Sequence, residues 1–181
     1  MKDNEMYDLK FPIGEFTMPK NYSNEIITIW IDEIASFPEK TKNLVSKLSK
    51  TELNYRYRPD GWTIKQVVHH CADSHMNCLI RFKLALTEDS PTIRPYFEDR
   101  WAELPDSLND DLTDTLLLLT GLHAKLAMVL KNLSESDLQR VYEHPEYGTK
   151  YKLAEVVGTY AWHCNHHFAH IENALKTKDL Y

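Results

Sequence analysis

The sequence predicts an all-α protein: a four-helix bundle with a long connection between its second and third helices and an N-terminal arm. Three observations predict it. Apolar residues recur at helical spacing over four long stretches, strand signals are scarce, and no repeat, low-complexity tract or linker divides the chain. Its 181 residues, 43% apolar and 27% charged, suit one domain (residues 1–181) with a sizeable core.

Residues 1–24 carry Pro12, Gly14 and Pro19 without a helical period and read as an arm over the body or toward a second subunit. Ile26–Leu48 is the first long helix, which Pro38 should kink or split. Lys50–Gly61 is a polar connection. The second helix begins at Thr63, whose partner Gln66 three residues on completes a capping box. Ile64, Val67, Val68, Cys71, His75, Leu79, Phe82 and Leu86 trace its buried stripe. Thr87–Asp111 is a long connection, with a short helix expected at Glu98–Leu104; loops of this length often cover sites. Asp111–Leu130 is the third long helix. A turn at Ser134–Asp137 and a small hairpin within Tyr142–Lys152 lead into the last, Leu153–Lys178.

The net charge of −6, with lysines scattered among acids, argues against a nucleic-acid binder. No apolar run approaches a membrane span, and MKDNEMYDLK lacks the apolar stretch of a secretion signal. Cys71, Cys78 and Cys164 are odd in number, form no CxxC pair and fall on apolar faces, so they read as buried free thiols in a reducing cytoplasm.

The last helix carries YAWHCNHHFAHI, and four of the nine histidines lie between His163 and His170. Residues four apart share a helix face, so His166 and His170 can meet one metal ion. At the 3.6 residues per turn of a helix, His166 and His170 lie roughly 120–150° from their helix's apolar stripe. His70 of VVHHCADSH lies roughly 140° from its own. The three can converge beside the core, although the wheel leaves His69 and His163 open as ligands. His75, on the stripe centre, reads as a hydrogen-bonded core residue. Three neutral imidazoles suit Zn²⁺, Ni²⁺ or Fe²⁺ rather than Mg²⁺ or Ca²⁺, and three protein ligands leave a position for water, as in catalytic sites. HExxH and ExxH are both absent, which removes the helix-borne metalloprotease and di-iron readings.

FPIGEF, GWTIKQVVHHCADSHMN, IRFKLALTE, IRPY with Trp101 downstream, and YAWHCNHHFAHI occur in an order that resembles the DinB/YfiT-like superfamily, and closely its YfiT branch of metal-dependent hydrolases. The resemblance covers nearly the whole chain. It implies a metal held by His70, His166 and His170 and a cytoplasmic homodimer. The imidazole donors put Zn²⁺ first and Ni²⁺ second, and the expected partner is a small-molecule substrate. HIENAL stands where DinB proteins proper have HRGQ, which favours the YfiT branch.

Three functions follow as alternatives. A metal-dependent hydrolase needs a proton shuttle, for which Asp73 and Glu98 are the candidate acids. A thiol S-transferase, using a low-molecular-weight thiol of the bacillithiol type, needs a polar groove, for which Arg81, Arg94 and Tyr96 are candidates. A non-catalytic metal-binding stress protein would close the site with a fourth ligand such as His163 or His69.

Overall fold

The computed structural model describes residues 3–181. Four long helices form the bundle: α2 (Asn24–Val45), α4 (Ile64–Thr87), α6 (Thr113–Lys131) and α8 (Leu153–Thr177). Short helices α1 (Asp3–Lys10), α3 (Lys50–Leu53), α5 (Glu98–Trp101) and α7 (Glu135–Leu138) decorate it, with one hairpin of β1 (Val141–His144) and β2 (Thr149–Lys152). The hairpin is antiparallel, Val141 opposite Lys152 and His144 opposite Thr149.

Side chains start the helices where the sequence offers caps. Ser23 accepts from Ile26 N–H, and Ser49 with Glu52, Thr63 with Gln66 and Ser134 with Asp137 close capping boxes. The Ser49 box converts part of the expected polar connection into α3. Gln66 also donates through Nε2 to the Ala102 carbonyl at 2.9 Å, which ties the long connection to the start of α4. That connection is stitched to the hairpin as well: Ile93 N–H donates to the Glu143 carbonyl and Glu143 N–H to the Pro91 carbonyl.

Two expectations are revised: the arm is not wholly irregular, and α2 is not split at Pro38. The arm opens with a helix, α1, although its residues show no clear apolar period. Its C-terminal carbonyl, at Lys10, accepts a hydrogen bond from the ring of His170 at 3.1 Å, so a tertiary contact holds what periodicity does not announce. Pro38 lies inside α2, and the helix runs through it. Proline removes one donor, the one that would serve the Ile34 carbonyl four residues earlier. His123 Nδ1 donates to that carbonyl instead, at 2.7 Å.

α2 packs on α6 and α8, and α4 packs on the same two, so α2 and α4 face each other diagonally. The core fills the space between them with Ile34, Phe82, Leu119, Leu126 and Ile171, none more than 1% exposed. Each such side chain contributes roughly 1.5–3 kcal/mol by leaving water. α6 does reach the length and apolarity of a membrane span, contrary to the sequence expectation. Leu119, Leu122, Leu126 and Leu130 face the bundle core. The decisive adjacency is that of α4 with α8, because both carry histidines.

Candidate metal centre and cleft

The α4–α8 seam opens into a cleft of about 630 Å³. His70 from α4 and His163, His166, His167 and His170 from α8 line it, together with Tyr96, Glu98 and Arg100 from the long connection. The long connection thus covers the site, as its length suggested. Arg81, Arg58 and Lys10 also reach the cleft.

The histidines form two close groups that share one ring: His70 with His163 and His167, and His166 with His167 and His170. The expected trio of His70, His166 and His170 spans both groups and is neither of them. Only the first group joins α4 to α8. In it, the Nε2 atoms of His70 and His163 lie 3.3 Å apart. Bonds of ~2.0–2.1 Å to a tetrahedral zinc place its nitrogen ligands roughly 3.3–3.4 Å from each other, so this donor pair fits a shared metal.

The second group is engaged with the arm. Since a carbonyl only accepts, His170 donates from Nε2 to Lys10. Its Nδ1 is then the lone pair facing His167 Nδ1 at 3.4 Å. His170 also stacks on Tyr57, with centroids 3.8 Å apart, and His166 stacks on Trp162 at 4.4 Å. His166 Nδ1 is buried without a hydrogen-bond partner.

Burial keeps these rings neutral. It pushes His70 down to about 4, with His166 adding to the effect, and His166 itself to about 4. Burial and neighbouring imidazoles hold His163 and His167 well below the usual histidine range. Neutral imidazoles in this seam present lone pairs without first losing a proton, which is what metal binding requires.

The remaining histidines are structural or peripheral. His69 donates from Nε2 to the Asn109 carbonyl at 3.1 Å and meets the Thr115 hydroxyl at 2.8 Å through Nδ1, away from the cleft. His75 is fully buried and hydrogen-bonded, as its place on the stripe suggested. His123 and His144 were not singled out by sequence. His123 sits in the core behind His75, and His144 on β1 lines the cleft. Periodicity on α6 could have flagged His123, since it falls between Leu119 and Leu126 on the buried face.

The other candidates divide. Glu98, Arg81 and Tyr96 line the cleft. Burial pushes the Tyr96 phenol up to about 12, partly offset by its hydrogen bond with Ser74. Asp73 and Arg94 do not line the cleft. Burial, then Asp106, raises the Asp73 carboxyl to about 6, and Asp73 in turn contributes to raising the Tyr96 phenol. Arg94 is exposed. The three cysteines are free and buried, and burial raises their thiols far above the reactive range.

A model of the DinB superfamily matches residues 33–171, most of the chain. The chain belongs to the DinB superfamily. Within it the chain is YfiT-like. YfiT from Bacillus subtilis, described as "a probable metal-dependent hydrolase with an unusual four-helix bundle topology", superposes with a TM-score of 0.90 and 41% identity, covering 93% of this chain and 97% of that one. A protein of Bacillus cereus strain 03BB102 named "Putative metal-dependent hydrolase" is 48% identical over 172 residues, 94% of this chain and 98% of that one. A Bacillus anthracis protein of the same name is 47% identical over the same coverage.

Proposed function

We propose that this chain is a metal-dependent hydrolase whose metal is held by His70, His163 and His167. The observation that carries the ligand set is the pairing of His70 and His163 Nε2 across the α4–α8 seam, with His167 one turn on from His163. His166 and His170 take outer places in this reading, although the sequence pointed to them. An all-imidazole set suits Zn²⁺ first and Ni²⁺ second. When bound, such an ion supplies Lewis acidity and lowers the pKa of a coordinated water toward ~7.

The chain's own residues supply the rest. Glu98 lines the cleft together with Asp99 and Glu146 and is a carboxylate available to take a proton. Tyr96 stays protonated at neutral pH and offers a hydroxyl to a polar substrate atom. Arg58, Arg81 and Arg100 orient an anionic part of a small substrate. The same cations favour the second reading, transfer of a carboxylate-bearing thiol of the bacillithiol type, over a neutral co-substrate.

The test is metal titration of purified, untagged protein and five single variants. His70→Ala, His163→Ala and His167→Ala should each weaken Zn²⁺ affinity by more than the ~100-fold that loss of an outer partner costs. His166→Ala and His170→Ala should stay within that bound. The reverse pattern would restore the His70, His166, His170 set. Turnover of a p-nitrophenyl ester that needs metal but no thiol supports hydrolysis, whereas conjugation that needs both supports transfer.

Two further parts of the reading rest on surface and composition. Leu117, Leu118 and Met128 leave an apolar stripe exposed on α6, which suits pairing of two copies. Three buried free thiols suit a reducing cytoplasm.

A further inference from the structure

Behind the cleft, three imidazoles run in single file into the core. His163 Nδ1 meets His75 Nε2 at 3.0 Å, and His75 Nδ1 meets His123 Nε2 at 2.8 Å. His123 Nδ1 ends the file on the Ile34 carbonyl at 2.7 Å. His75 has no exposed surface and His123 1%. The carbonyl is available because Pro38, four residues on, has no N–H to give it.

That carbonyl sets the direction of every bond in the file. It can only accept, so His123 is protonated on Nδ1 and its Nε2 is a lone pair. A neutral His75 must therefore donate from Nδ1, and its own Nε2 becomes an acceptor. His163 must then donate from Nδ1, which leaves its Nε2 lone pair facing His70 and the cleft. Neutrality follows from position: the aromatic rings of Phe37 and Tyr160 and the Cys164 sulfur pack around His75.

We propose that His75 and His123 are positioning residues: anchored on the carbonyl freed by Pro38, they hold His163 in the tautomer and ring orientation that present Nε2 to a metal. The inference rests on the reading of His163 as a ligand. It gives a role to two buried histidines that an apolar core would otherwise not need, since buried polar groups cost stability unless each is paired. Outer partners of this kind fix ligand tautomers and raise their basicity.

The experiment has two arms. Long-range ¹H–¹⁵N spectra of the imidazoles in the metal-free chain at neutral pH should show His163, His75 and His123 all protonated on Nδ1. An Nε2–H tautomer at any of the three overturns the proposal. In the second arm, Zn²⁺ affinity is measured for His75→Leu and His75→Gln. Leucine removes the acceptor and should weaken binding by about 10–100-fold. Glutamine can place its carbonyl oxygen near the lost Nε2 and should restore most of that loss. Equal affinity in His75→Leu and the parent, or equal loss in both variants, overturns the proposal. His163→Ala titrated alongside separates the two claims. Full affinity there refutes the ligand set itself, whereas loss there with unchanged affinity in His75→Leu refutes only the relay. The spectra need no variant, so they decide the tautomers even where His75→Leu fails to fold.

Discussion

A buried imidazole is only as stable as the partners of its two nitrogens, and His123 shows the consequence for pH. Burial pushes its pKa down to about 4, and its bond to the Ile34 carbonyl opposes the shift only in part. In the unfolded chain the ring titrates near 6.5. Between these values the unfolded chain binds more protons than the folded one. The stabilising contribution is therefore complete above pH 6.5 and is lost as pH falls toward 4. At about 1.4 kcal/mol per pH unit the whole effect is roughly 3 kcal/mol. In chelator, urea unfolding of the parent should show stability falling across this window. His123→Leu, less stable at pH 7.5, should show a slope shallower by up to one proton. Parallel slopes would mean that His123 does not titrate on unfolding.

At the scale of elements, α8 does two jobs. Its middle, from His163 to His170, holds the histidines, while nearer its start Gly158 lets the arm and α2 come close. A Cβ there would stand 2.7 Å from the Phe16 ring and 3.0 Å from that of Trp30. Trp162 Nε1 donates to the Gly14 carbonyl at 3.0 Å, which pins the same arm one turn later. Alanine normally favours a helix over glycine by up to ~1 kcal/mol. Gly158→Ala should nonetheless destabilise the protein by about 1 kcal/mol, because overpacking outweighs propensity. In a Phe16→Ala background the cost should shrink. The same cost in both backgrounds would show that the arm does not limit this contact.

For the whole molecule, the diagonal placement of α2 and α4 decides where chemistry can occur. It brings α4 beside α8 and closes their seam with the long connection and the hairpin. It also turns one face of α6 outward, with Leu117 66% and Met128 71% exposed. Should two copies pair through this stripe, sedimentation at tens of micromolar would give a dimer. Leu117→Glu combined with Met128→Glu would shift it to monomer without loss of metal affinity. A monomeric parent, or a double variant that still pairs, would remove α6 from the interface.

The long helices were legible because each repeats an apolar stripe, and Thr63–Gln66 marked the start of α4 to the residue. Helix α1 was not, since a contact from His170 supports it rather than a pattern of its own. The site was legible as a surplus of histidines on two helices, with His70 among them. The partition of the others was not. His163 and His167 have the same four-residue spacing as His166 and His170, rotated by about 60° around α8. A helical wheel measures such angles only against the helix's own apolar stripe. Which pair faces His70 depends on the roll of α8 against α4, and the packing of the whole core fixes that roll. The sequence by itself determined a histidine-rich helical bundle with the residues for a metal centre. Only the tertiary structure decided which rings meet across the seam, which hold the arm and which run back to the carbonyl that Pro38 leaves free. The physical reason is that donor distances and tautomers are properties of contacts between helices, and periodicity within one helix does not contain them.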